Sequence, residues 1–180
     1  MIQFLPGIVI MGVSGCGKST LGQRLAADLG CRFIEGDDLH PQANIDKMAS
    51  GIALDDDDRW PWLKRVASEL SRPAGQAADQ GCVVSCSALK RSYRDAIRRE
   101  AGVGVLFVYL EVPAATLHDR LVQRPGHYMP ASLLDSQLAT LQAPTPDEGA
   151  LTLDGTQPVK ALAAAVMTRL AADAPGESES

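Results

Sequence analysis

The chain has 180 residues, of which 46% are hydrophobic and 22% are charged, and its formal net charge is −5 at pH 7. This length suits one well-buried core and is short for two, so a single domain is predicted. The negative charge argues against a sequence-independent nucleic-acid surface, which needs Lys and Arg in excess on one face. We therefore expect no nucleic-acid partner, and any basic site must be local.

The first residues read MIQFLPGIVIMGV and lack the positively charged start of a signal peptide. Because the stretch runs directly into a Gly-rich segment, it predicts a first strand. Nowhere is there an uncharged apolar run of about 18 residues, so we expect no membrane span, no membrane partner and a cytoplasmic protein.

The four cysteines show no paired spacing and no nearby His cluster, which favours neither a zinc site nor a disulfide framework. Cys16 alone is a candidate reactive thiol, because it lies where a helix begins.

Five short apolar runs predict strands, at residues 7–12, 31–35, 82–86, 103–112 and 150–154. Because these runs are continuous rather than alternating, both faces of the sheet should be covered, which indicates a parallel sheet and an α/β fold. A first helix follows the Gly-rich segment and ends at Gly30. Later helices are predicted at residues 59–70, 88–100, 113–124, 131–141 and 159–172. Residues 71–81 have the composition of a loop and residues 173–180 that of a disordered tail, so the domain should span residues 1–172.

The stretch GVSGCGKST, residues 12–20, fits the G-x-x-x-x-G-K-[ST] pattern of a phosphate-binding loop, between an apolar strand and a helix. In such loops backbone N–H groups surround nucleotide phosphates, and the helix N-terminus adds partial positive charge. Lys18 should reach the β- and γ-phosphates, and Ser19 should ligate Mg²⁺. The predicted nucleotide-binding residues of the loop are Gly12, Val13, Ser14, Gly15, Cys16, Gly17, Lys18, Ser19 and Thr20.

A GTPase with this loop would be expected to carry an N-K-x-D motif that reads guanine. Asn44 is the only asparagine in the chain and Ile45 follows it, so that class is not indicated. A kinase for a small molecule instead needs a carboxylate near the acceptor hydroxyl, cations that collect the transferring charge, and a mobile cover.

Acidic residues follow the second predicted strand, in FIEGDDLHP. This places Glu35, Asp37, Asp38 and His40 at the carboxyl edge of a parallel sheet, where open α/β folds bind ligands. Alternation gives Glu35 and Asp37 the same orientation, so one could hold a magnesium-bound water while the other accepts a hydroxyl proton. Asp38 fits a helix-capping role better than a catalytic one.

Two further stretches concentrate charge near the same edge. In LDDDDRWPWLKR, residues 54–65, an acidic run ends in a predicted helix cap. Arg59 and two tryptophans follow it, which favours a structured wall. SCSALKRSYRD follows the third strand with Lys90, Arg91 and Arg94, and at least one of these should face an anionic substrate.

The stretch DRLVQRPGHYMP, residues 119–130, carries Arg120 and Arg124 before a Pro-Gly hinge. This is typical of a lid whose arginines close over ATP phosphates. His127 fits packing or hydrogen bonding within the lid better than proton transfer.

Taken together, these residues resemble the gluconokinase family of small P-loop carbohydrate kinases, of the thermoresistant type, relatives of shikimate and adenylate kinases. The matching blocks are MGVSGCGKS, GDDLHPQANIDKMASGIALDDDDRWPWL, CSALKRSYRD, GHYMPASLLDSQLATLQAP and the late pair Gln157 and Pro158. The resemblance implies ATP- and Mg²⁺-dependent phosphorylation of D-gluconate at its 6-hydroxyl. It also implies a three-layer α/β/α fold with five parallel strands in the order 2-3-1-4-5, a helical lid at about residues 121–144, and a homodimer.

The resemblance also assigns roles to residues. It makes Lys18, Asp37 and Arg124 the catalytic set, with Asp37 orienting or deprotonating the acceptor hydroxyl. Arg120 and Pro158 would flank adenine, and Ser19 with Glu35 would hold Mg²⁺, the latter through water. Glu35 departs from the Asp that is common in these kinases. The candidate gluconate ligands, besides Asp37, are His40, Lys47, Asp57, Arg59, Lys90 and Arg94.

Two alternatives stay open. A kinase for shikimate or a nucleoside monophosphate would share the loop and lid, although CSALK stands where shikimate kinases carry a glycine triplet. A nucleotide-dependent switch without an acceptor is disfavoured, because it has little need for Asp37 beside the phosphate.

Overall fold

A computed structural model of the chain describes residues 7–72, 81–123 and 131–174. Its centre is one five-stranded sheet in the order β2-β3-β1-β4-β5, and every neighbouring pair is parallel. The strands are β1 Gly7–Met11, β2 Arg32–Glu35, β3 Cys82–Ser85, β4 Val105–Glu111 and β5 Leu151–Asp154. This confirms the predicted fold class and strand order.

Helices cover both faces of the sheet. They are α1 Lys18–Leu29, α2 Gln42–Ala49, α3 Asp56–Ser71, α4 Arg91–Ala101, α5 Ala114–Gln123, α6 Ala131–Thr140 and α7 Val159–Asp173. Helix α1 packs against α7, and α3 packs against α4. All residues of β1 and β3 are buried, which explains their continuous apolar sequences. Within the described ranges, no helix has the length and apolar character needed to cross a bilayer.

The helices differ from the prediction in one additional helix and in two starting residues that are each displaced by three positions. Helix α2 was not predicted. Helix α3 begins at Asp56 rather than at residue 59, because Asp55 caps it and forms a reciprocal capping box with Asp58. Helix α4 begins at Arg91 rather than at residue 88, because Ala88 has a φ of 43° that a helix does not allow. Most of the predicted 71–81 loop and 173–180 tail lies outside the described residues.

A buried ion pair joins α4 to the short 3₁₀ turn Pro146–Glu148. Arg94 Nε and Nη2 donate to the two carboxylate oxygens of Glu148 at 2.6 and 2.7 Å, and both side chains are almost wholly buried. The remaining nitrogen, Nη1, donates to the carbonyl oxygens of Ala88 and Leu89 at 3.0 and 3.3 Å. The pair therefore fixes the chain after α6 against the loop that follows β3.

Replacing Glu148 with Gln should lower the free energy of unfolding by about 3 kcal/mol, because breaking a buried pair leaves a charge without its partner. Hydrogen bonds from Arg94 lower the pKa of Glu148 from 4.5 to about 2. The stability from the ionised carboxylate is therefore present above pH 4.5 and is lost as the pH falls toward 2. Urea unfolding of wild type and Glu148→Gln across this range measures both effects, and the variant should depend less on pH.

The matched control is Asp147→Asn, which removes the neighbouring and exposed pair with Arg91. Solvent screens that pair, so the control should lose much less stability at pH 7. Equal losses in the two variants would contradict the special role of the buried pair.

Candidate active site

The phosphate-binding pattern forms a loop between β1 and α1, as predicted. Gly12, Gly15 and Gly17 have φ values of 140°, 83° and 102°, in the region that favours glycine. A Cβ atom at Gly12 would also lie 2.8 Å from the sulfur of Cys16. The loop thus carries its backbone to the N-terminus of α1 in a form that can cradle an anion.

Two side chains of the loop have distinct surroundings. Lys18 Nζ donates to the Val13 carbonyl oxygen at 3.0 Å, so its ammonium spans the loop. Cys16 is only 1% exposed, and its sulfur packs beneath Gly12. This burial argues against Cys16 as a reactive thiol, because reactivity needs access as well as a favourable helix terminus.

Glu35 connects the loop to the edge of the sheet. Its Oε2 accepts a hydrogen bond from Ser19 Oγ at 2.5 Å, and its Oε1 accepts one from the Ser85 hydroxyl. Ser85 Oγ in turn accepts from the Gly36 backbone N–H at 3.1 Å. A hydroxyl beside a carboxylate matches the oxygen ligands that Mg²⁺ prefers when water and phosphate complete its coordination. The donor set therefore fits the predicted metal site.

A 3₁₀ turn at Gly36–Leu39 follows β2 and carries Asp37 and Asp38. A Cβ atom at Gly36 would lie 1.9 Å from the Ser85 carbonyl oxygen, so no larger residue fits without displacing the turn. From the other side, Trp62 Nε1 donates to the Gly36 carbonyl oxygen at 2.7 Å. These contacts fix the position of Gly36 and therefore of the neighbouring Asp37.

A cavity of about 410 Å³ lies between the phosphate loop, this turn, α2, α3 and α6. That size suits a small organic ligand. Of the predicted catalytic and substrate-binding residues, Lys18, Asp37, His40 and Arg59 line it. The structure therefore brings together a phosphate-loop cation, a carboxylate, an imidazole and a guanidinium.

Four predicted gluconate ligands do not line this cavity: Lys47, Asp57, Lys90 and Arg94. The hypothesis for Arg94 is wrong, because its guanidinium is buried and all three of its nitrogens donate within the protein. Lys47 pairs with Asp58 at 2.5 Å and Lys90 pairs with Asp56 at 2.9 Å.

The Asp56 pair supports the cavity wall indirectly. The Tyr93 hydroxyl donates to Asp56 and accepts from Arg59 Nη1, the latter at 3.0 Å. Hydrogen bonds from Tyr93 and then from Lys90 lower the pKa of Asp56. Lys90 therefore helps to hold the carboxylate and hydroxyl that position Arg59, rather than lining the cavity itself.

His40 lies inside the cavity wall. Its ring stacks on Trp62 with centroids 4.1 Å apart. Burial lowers the pKa of His40, an effect that Asp37 opposes and Arg59 reinforces. These surroundings therefore favour the neutral imidazole at pH 7.

A second cavity, of about 370 Å³, lies on the other side of the loop. Arg120 lines it and donates to the carbonyl oxygens of Gly15 and Gly155, each at 3.1 Å. Pro158 caps α7 between two further lining residues, Gln157 and Val159. Arg120 and Pro158 are the two residues to which the family resemblance assigns adenine, and that role stays a prediction. Arg124 and His127 lie outside the described residues.

Sequence reasoning missed several residues of the site. Asn44 was used only to exclude a guanine-binding motif, yet its side chain is buried and contacts His40. Gln137 of α6 accepts a hydrogen bond from the Ser14 backbone N–H at 2.7 Å and also lines the larger cavity. A polar residue within a helix gives no signal of a contact with a loop more than 100 residues earlier.

Comparison with known proteins agrees with this geometry. A family model described as an AAA domain matches residues 8–144. A gluconokinase from Gluconobacter oxydans is 48% identical, with 82% of each chain covered. The thermoresistant gluconokinase of Escherichia coli is 41% identical over 88% of this chain and 90% of its own. The crystal structure of a gluconokinase from Sinorhizobium meliloti superposes with a TM-score of 0.83, at 46% identity, over 95% of this chain and 94% of that one.

Replacing Gly36 with Ala should destabilise the fold by about 3 kcal/mol, because the new methyl group would overlap the Ser85 carbonyl oxygen. Gly102→Ala is the control, since its Cβ atom would meet nothing within 4 Å and only its φ of 63° opposes the change. Chemical denaturation of both variants measures the difference. A Gly36→Ala protein as stable as Gly102→Ala would contradict the close contact between the turn and β3.

Proposed function

The chain belongs to the gluconokinase family, and we propose that it transfers the γ-phosphoryl group of ATP to the 6-hydroxyl of D-gluconate. The products are 6-phospho-D-gluconate and ADP. The observation that carries this proposal is that Asp37, Arg59 and Lys18 of the phosphate loop line the same cavity. An anionic polyol and a nucleotide phosphate can meet there.

The loop residues 12–20 hold the ATP phosphates, and Lys18 balances charge on the group in transfer. Asp37 orients the 6-hydroxyl and accepts its proton as oxygen attacks phosphorus in line with the leaving ADP oxygen. Ser19 would hold Mg²⁺ directly and Glu35 would hold it through water. When bound, Mg²⁺ would neutralise phosphate charge.

Arg59 is the partner for the gluconate carboxylate. A guanidinium matches a carboxylate with two parallel hydrogen bonds, and Tyr93 already fixes one of its nitrogens. His40 contacts gluconate hydroxyls. Lys47 and Lys90 act indirectly, through their ion pairs with Asp58 and Asp56.

Nucleotide binding is coupled to α6 in this proposal. Gln137 accepts a hydrogen bond from the backbone N–H of Ser14, which belongs to the phosphate-binding loop. A bound γ-phosphate competes with Gln137 for this N–H. Helix α6 then moves with the lid of residues 121–144, Arg124 meets phosphate, and Arg120 and Pro158 flank adenine. A homodimer and a cytoplasmic location complete the proposal.

The test measures ADP release with Mg-ATP against gluconate, other sugar acids, shikimate and nucleoside monophosphates. Turnover with gluconate above all others supports the proposal. Turnover with a different acceptor, or with none, would overturn the assignment of gluconate and leave the nucleotide site standing.

The same assay tests Asp37. The Asp37→Asn variant keeps the shape of the side chain but cannot accept a proton, so gluconate-dependent turnover should fall about 10²-fold or more. ATP affinity, measured by calorimetry, should stay close to the wild-type value. Unchanged turnover would remove Asp37 from the mechanism.

A further inference from the structure

Asn44 of α2 contacts the imidazole of His40, and this contact bears on which ring nitrogen of His40 carries the proton. Asn44 is 4% exposed, on the buried side of α2. Its Nδ2 lies 2.8 Å from the Asp58 carbonyl oxygen and 3.2 Å from His40 Nδ1. Both distances allow hydrogen bonds.

The carbonyl oxygen of Asp58 can only accept, so the group that faces it must be the NH₂ of the Asn44 amide. The second hydrogen of that NH₂ is then directed to His40 Nδ1. A protonated Nδ1 would set one N–H against another, so Nδ1 must be the unprotonated acceptor. In a neutral imidazole the proton is therefore on Nε2.

The other contacts of His40 agree with a fixed, neutral ring. Trp62 stacks on one face, and Trp62 is itself held by its hydrogen bond to the Gly36 carbonyl oxygen. The charged groups that act on the ring are Asp37 of the 3₁₀ turn and Arg59 of α3, and burial outweighs the attraction of Asp37. Asn44 adds to this balance, because its donated hydrogen bond is lost if Nδ1 takes up a proton.

We propose that Asn44 is a positioning residue that holds His40 as the neutral Nε2–H tautomer, so that His40 donates a hydrogen bond to a hydroxyl of the acceptor. The assignment of the acceptor rests on the proposed function, whereas the tautomer does not. His40 then serves recognition, and proton transfer remains with Asp37. An Nε2–H group that faces the substrate binds a group that can accept a hydrogen bond, such as a hydroxyl oxygen. A substrate that lacks this hydroxyl leaves the buried N–H without a partner.

The first experiment is a long-range ¹H–¹⁵N spectrum of the full ¹⁵N-labelled chain at pH 7, with His40 assigned by the signals that vanish in His40→Gln. We expect Nδ1 without a proton, Nε2 with one, and a titration midpoint below 6.5. A proton on Nδ1, or a doubly protonated ring at pH 7, would overturn the proposal whether or not gluconate is a substrate.

The second experiment compares Asn44→Ala and Asn44→Asp with Gln42→Ala, which changes an exposed side chain on the same helix. Asn44→Ala should raise the titration midpoint of His40 toward 6.5 and raise KM for gluconate about tenfold, with a smaller change in kcat. In Asn44→Asp the carboxylate should draw a proton onto Nδ1 at pH 7. Gln42→Ala should match wild type in both measurements. A His40 titration that stays at the wild-type position in both Asn44 variants would overturn the positioning role.

Discussion

The contact between the Gly36 turn and β3 is the constraint on which the site depends. The Ser85 hydroxyl donates to Glu35 and accepts from the Gly36 N–H. The backbone carbonyl oxygen of Ser85 lies only 1.9 Å from the position that a Cβ atom of residue 36 would take. Glu35 extends the connection to Ser19 at the start of α1. The Glu35 carboxylate therefore links the phosphate loop to β3 and to the turn that carries Asp37.

In this acidic protein, some cations near the site pair with carboxylates, whereas two others contact neutral groups. Arg94 forms an ion pair with Glu148, Lys47 with Asp58, and Lys90 with Asp56. Arg59 is held by a neutral hydroxyl instead, and Lys18 by a carbonyl oxygen. Because neither contact neutralises a positive charge, both side chains can still pair with an anion in the cavity. The net charge of −5 is thus compatible with a local anion site.

The sequence predicted what depends on local pattern. The strands, the loop at residues 12–20 and the acidic edge after β2 all follow from apolar runs and from a spacing that the backbone requires. Helix α2 escaped prediction because it buries only Asn44, while Ile45 and Met48 line the cavity, so no core-facing apolar stripe marks it. The partner of Arg94 lies 54 residues farther along the chain, and no local pattern distinguishes an arginine that will be buried from one that will face a ligand. The acidic run predicted a helix cap directly before Arg59, whereas the cap is Asp55, near the start of that run.

The most direct test of this account is a crystal structure with Mg²⁺, a non-hydrolysable ATP analogue and D-gluconate. We expect the γ-phosphate group on the 12–20 loop with Gln137 released from Ser14, the gluconate carboxylate on Arg59, and the 6-hydroxyl against Asp37. Gluconate bound outside the cavity, or bound there with its 6-hydroxyl remote from Asp37, would contradict the arrangement of the acceptor site.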